Sequence, residues 1–183
     1  MRKKLITAII ALTLTLCCLV GGTLAWLSVE TQQLTNTFTY GDINITLTET
    51  TGNTYQMIPG NEIGKDPTVT VKANSEACWL FIKVEKDNNP DAYLDYSIAE
   101  GWNELSSVTG VYYREVDKVA ADTSFAVLTG NKVVVKNSVT KTQLNDIKTN
   151  YPTLKFTAYA VQQANITSAT DAWSVVTTGK LPA

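Results

Sequence analysis

The sequence predicts an all-β protein, a sandwich or barrel with a few short helices. Three observations carry this. β-Branched residues are abundant, turn signals recur about every 8–12 residues, and the apolar stretches between them are short. Eight or nine strands and at most three short helices can be placed, and no repeat of constant length suggests a solenoid. The 183 residues are 44% hydrophobic and 17% charged, a balance that suits neither a disordered tail nor a polytopic membrane protein.

The chain begins with a segment of different character. Arg2, Lys3 and Lys4 are followed by an almost wholly apolar run, Leu5 to Val20, broken only by threonines. Gly21 and Gly22 then interrupt the helix, and Thr23-Leu24-Ala25 places small residues where a signal peptidase reads them. Residues 1–25 are therefore expected to be a secretory signal peptide, with the cut between Ala25 and Trp26. An uncut anchor is the alternative, since the run is long enough for the ~20 residues a bilayer requires. The glycine pair and Ala25 favour cleavage, so the membrane is expected as a partner only before it. Lipidation at Cys17 or Cys18 would want a small residue in front, and Leu16 precedes Cys17.

Past Ala25 a polar segment, 26–36, leads into a domain expected at 37–183. Phe38 and Tyr40 alternate on one parity and Ile43, Ile45 and Leu47 on the other, so Gly41 marks a bend in the first strand. Glu49 to Tyr55 reads as a loop and Ile58-Pro59-Gly60-Asn61 as a turn. Pro67 to Lys72 is a strand with Val69 and Val71 inward. Ala77 to Lys86 is nearly continuously apolar, the pattern of a central strand buried on both faces. The short connection between these two strands implies a hairpin. Short strands follow at Tyr93–Ile98, Trp102–Leu105, Val111–Val116 and Lys132–Lys136, while Asp122–Leu128 reads equally as helical turn or loop. Thr140–Asn150 is a short surface helix that ends before Pro152, and Leu154–Gln162 is a strand. Ser168 caps a helix over Ala169–Val175 that tucks Trp173 inward.

Little in the chain points to catalysis. It has no histidine, so the commonest general base and transition-metal ligand is missing, and no G-x-S-x-G occurs. Cys78, the one cysteine left after cleavage, reads as a small buried hydrophobe. Asp91/Asp95 and Glu100/Glu104 are carboxylate pairs in turn-rich segments, where solvated surface is the ordinary explanation. Asp87–Asp91 clusters oxygen ligands without the spacing of a calcium loop. No enzyme, cofactor or metal is expected. Losing Arg2, Lys3 and Lys4 leaves twelve basic against 17 acidic residues, which argues against a nucleic-acid partner. Trp79, Trp102 and Trp173 are candidate sugar-stacking residues; alternation favours burial of Trp79 and Trp173, and leaves Trp102 open.

The junction GGTLAW, with Gly21 and Gly22, followed by NTFTYGDINITLTE resembles the export and maturation region of the TasA/camelysin family of secreted matrix proteins. Phe38, Gly41, Ile43 and Ile45 fill its x-F-x-x-G-x-[ILV]-x-[ILV] pattern. The stretch MIPGNEIGKDPTVTVKANSEACWLFIKVE, with Pro59 and Gly60, and the C-terminal LKFTAYAVQQANITSATDAW are similar to further family segments. The resemblance implies a jelly-roll-like antiparallel β-sandwich, export through a dedicated signal peptidase, and assembly into extracellular biofilm fibres. It also implies that the mature N-terminal segment acts as a donor strand for the next subunit. Mapped here, the donor is Trp26 to about Thr35, with Trp26, Leu27, Val29, Thr31 and Gln33 on it. The partner is then another copy of the chain or a related matrix protein. The metalloprotease activity described for camelysin-like members is not carried over to a chain without histidine. Two other readings are a monomeric surface module, presenting Asp87–Asp91 and Trp102 to a glycan, and an accessory protein that anchors a related fibre.

Overall fold

The computed structural model describes residues 42–52 and 54–180, which lie within one compact unit. Ten strands are described: β1 (Ile45–Thr48), β2 (Glu62–Gly64), β3 (Thr68–Val71), β4 (Cys78–Asp87), β5 (Leu94–Asp95), β6 (Asn103–Glu104), β7 (Val111–Val116), β8 (Thr123–Ala126), β9 (Lys132–Val135) and β10 (Thr153–Gln162). Two α-helices join them, α1 (Lys141–Asp146) and α2 (Ala169–Thr178). The strands form three antiparallel sheets, in the orders β1-β3-β8, β10-β4-β7-β6 and β2-β9-β5. This is the predicted all-β sandwich class.

β4 is the central strand that its apolar run predicted. Cys78, Leu80 and Ile82 face one way and meet Val69 and Val71 of β3 and Val116 of β7 in a first core. Trp79 and Phe81 face the other way and meet Val111, Leu105 and the inner face of α2 in a second. There Trp173 packs 5.3 Å from Phe81 and 5.4 Å from Tyr159, centroid to centroid, and the Trp79 indole N–H donates to the Ile166 carbonyl at 3.1 Å. Truncating a buried Phe of this kind typically costs about 3–5 kcal/mol. A third core, under the β2-β9-β5 sheet, gathers Ile63, Val133, Val135, Leu128 and Val139.

Both helices start as their sequences suggest. Thr140 accepts from the Gln143 amide and the Gln143 side chain accepts from the Thr140 amide, a capping box. Ser168 accepts from the Asp171 amide at 3.1 Å. α2 runs on past Val175 to Thr178 because Val176 still packs on the second core. At the Ile58–Asn61 turn, Gly60 takes φ 80° after Pro59, as a type II turn requires, and its N–H donates to Val135 O at 2.9 Å.

Two expectations are corrected. The connection from β3 to β4 is not a hairpin. Its strands lie in different sheets, and both edges of β4 are already taken by β7 and β10. Asn74 turns the chain at φ 64°, and buried Ser75 accepts from the Asn44 amide at 3.1 Å, tying the crossover to the start of β1. Asp122–Leu128 is neither helical turn nor loop but holds β8, added to β3. Asp122 fixes its entry by accepting from the Ala73 amide and the Lys72 ammonium, both at 2.9 Å. The three-residue β2 was also not anticipated. The Tyr93–Ile98 strand shrinks to the two residues of β5 and an isolated bridge from Ile98 to Leu128.

A strap after β1 is held by charge. Thr50 and Thr51 donate to the Asp66 carboxylate through both amides and both hydroxyls. Lys65, 9% exposed, pairs with Glu49 at 2.8 Å and lies 5.4 Å from the ring centroids of Tyr55 and Phe156. The hydrogen bonds from Thr50, then Thr51, hold the Asp66 carboxyl far below the usual carboxylate range. A depressed folded pKa adds stability that is present above the unfolded value, about 3.9, and is lost as pH falls through the folded one. Asp66→Asn is therefore expected to lower the thermal midpoint at pH 7 and to narrow its gap from the unsubstituted protein as pH drops below 4. A gap that stays constant from pH 7 to pH 2 in calorimetry would contradict this role.

Candidate functional site: an open strand edge

The six sheet edges are unequal. β5 and β6 have two residues, β2 three, and β1 and β8 four, whereas β10 has ten. β10 pairs with β4 along its whole length, Thr153 with Asp87 through Gln162 with Cys78. Among the described residues nothing pairs with its other edge.

The side chains of β10 serve all three cores, Leu154 and Phe156 reaching the third. Phe156, Ala158 and Ala160 lean on the first, and Tyr159 and Val161 on the second. All five are only half-buried. β1 lies close to β10 without a ladder between them. It brings Ile43, Ile45 and Leu47, also half-buried, to the same side of the first core. Edge strands are commonly guarded by charge, proline or brevity. Within β10 there is one Lys, no Pro and no interruption, with Pro152 just ahead of it. By contrast the β8 side is covered. Ala99 N–H donates to Val127 O and the Trp102 indole to Ala126 O, both at 2.9 Å, and the Arg114 guanidinium stacks 3.9 Å from the Phe125 centroid.

Ile43 and Ile45 of the sequence-level site thus stand at this seam, on the parity expected. Pro59 and Gly60 lie away from it, in the turn before β2, where they shape the third sheet. Gly21, Gly22, Ala25, Trp26, Leu27, Val29, Thr31, Gln33, Phe38 and Gly41 fall outside the described residues, as do the signal segment and the donor-strand segment.

The catalytic and sugar-binding candidates disperse. Trp102 is not open: it is 8% exposed, with its indole N–H satisfied, and Trp79 and Trp173 are buried too. Asp91 accepts from Lys86 at 2.8 Å and from Tyr96 at 3.1 Å, and the Lys86 hydrogen bond holds its carboxyl below the usual range. A general acid for glycoside cleavage needs the opposite shift. Asp95 faces Lys136 at 3.5 Å. Cys78 is buried in the first core, and desolvation pushes its thiol up to about 11, which keeps it protonated at neutral pH.

A family model described as camelysin metallo-endopeptidase matches residues 1–87, a stretch that takes in β1 to β4. The match supports a TasA/camelysin-like assignment and, at family level, a secreted, matrix-type protein. No curated protein and no solved structure matches the chain. The metal in that family's description finds no fitting donors here. The chain has no histidine, and among the described residues no three of Cys, Asp and Glu gather closely enough to hold an ion.

The role of β10 was missed at the sequence level because a strand's pattern does not say which strands flank it. Hydrogen exchange on the monomer checks the edge. The amides of β4 from Trp79 to Val84 should be protected, and alternate amides of β10, those directed away from β4, should exchange far faster. Uniform protection along β10 would mean that its outer edge is already paired.

Proposed function

We propose that this chain, as a TasA/camelysin-like protein, is a structural subunit of an extracellular matrix that polymerises by strand addition. Residues Trp26 to about Thr35 of one copy would pair with the outer edge of β10 in the next. The carrying observation is the length and nakedness of that edge: ten residues, half-buried side chains on both faces, and no described partner. The donor is of matching length. Leu27 and Val29 alternate with Ser28 and Glu30, as a half-covered strand requires. An added antiparallel strand of this length makes about ten backbone hydrogen bonds, two for each hydrogen-bonded residue pair, each adding about 1 kcal/mol net. It also covers the half-buried seam of Phe156, Ala158 and Ala160. Because donor and acceptor are different surfaces, the contact is head-to-tail and can extend without closing.

Export fits the basic-apolar-small pattern of residues 1–25, with Trp26 freed by cleavage after Ala25. No helix among the described residues is long and apolar enough to cross a membrane. The same edge would serve an accessory role, taking the segment of a related matrix protein.

Deleting residues 26–33 tests the reading. The truncated protein should keep its circular dichroism, elute as a monomer in size-exclusion chromatography and form no fibres under the electron microscope. Fibres from the truncated protein would rule out strand donation by this segment.

A further inference from the structure

A second feature lies at the start of β10, whose Thr153 and Leu154 take part in it. The third core is not fully closed. Buried Ile63 and Val133 line a groove of about 790 Å³ together with Met57, Ile58, Ile147, Tyr151 and Leu154. Its volume falls within the roughly 300–1,000 Å³ typical of small-molecule sites. Ile58 is 52% and Tyr151 60% exposed, the two large hydrophobic residues most open to water in the described structure. Water-exposed apolar side chains around a concave apolar floor mark a place where a ligand completes the core.

The charge of the groove selects the ligand. Two lysines line it, Lys65 and Lys148, and no carboxylate does. Lys65 is neutralised from behind by Glu49 at 2.8 Å. Lys148 is exposed and forms no ion pair among the described residues. An aliphatic trough with one unmatched cation complements a single apolar chain carrying one negative head. We propose that this groove binds a free long-chain fatty acid, with its alkyl chain over Ile63 and Val133 and its carboxylate beside Lys148. The groove meets β10 only at Thr153 and Leu154, and the inference does not rest on strand addition along the rest of that strand.

Displacement of the fluorescent fatty acid cis-parinaric acid from the purified protein tests it, with palmitate and hexadecanol as competitors below their aggregation limits. Palmitate should displace the probe, and hexadecanol, which lacks the charge, should do so about tenfold less well. Lys148→Glu, at an exposed position, should weaken palmitate by about tenfold. Ile147→Asp should abolish displacement, while Lys180→Glu leaves it unchanged; circular dichroism and thermal melting confirm that each variant folds. The proposal is overturned if palmitate fails to compete, or if it competes equally with Lys148→Glu and Ile147→Asp. It is equally overturned if a peptide of residues 26–35 displaces the probe and palmitate does not, which would give the groove to the N-terminal segment. Binding to anionic vesicles without binding to monomeric palmitate would overturn it in favour of a membrane surface.

Discussion

Two of the three cores are built on β4. Its run of Cys78, Trp79, Leu80, Phe81 and Ile82 is buried on both faces, so one strand divides two cores. The first core needs β1, β3 and β8 as its opposite layer, and the second needs α2. A strand buried in this way must also satisfy its backbone on both edges, since unpaired amides in an apolar interior are costly. β7 supplies one edge and β10 the other. The cost is passed outward: β4 is paired on both edges over Cys78–Lys83, and β10, ten residues long, is left as an edge with no partner among the described residues.

The family description names a metal-dependent chemistry, and among the described residues no cluster of three metal-ligating side chains gathers. Asp91 and Cys78 are shifted away from what a general acid or a nucleophile needs, one by Lys86 and the other by burial. Among the described residues the domain offers an unpaired edge beside a half-covered seam, and an apolar groove at the start of the same strand.

Much of this was legible in the residues. The apolar run of β4, the alternation of Ile43, Ile45 and Leu47, the Pro59-Gly60 turn and the Ser168 cap each depend on local chemistry, and each appears as read. What failed depends on partners distant in sequence. A short loop after β3 reads as a hairpin by default, but β10 and β7 compete for β4 from more than 25 residues away. β8, Thr-Ser-Phe-Ala, has no alternation of its own and is a strand because Val69 and Val71 of β3 need a neighbour. Trp102 reads as open from its polar surroundings, yet Ala126 O gives its indole a buried partner. The Asp66 strap joins residues 15 and 16 apart through threonine hydroxyls, a link that composition does not announce.

The central claim is that the naked edge of β10 is where copies join. The most direct measurement is an electron cryomicroscopy reconstruction of the assembled form. The account predicts density for residues 26–35 of one copy lying antiparallel to β10 of the next, hydrogen-bonded along its outer edge. An assembly in which that edge faces solvent, with copies meeting through other surfaces, would contradict it.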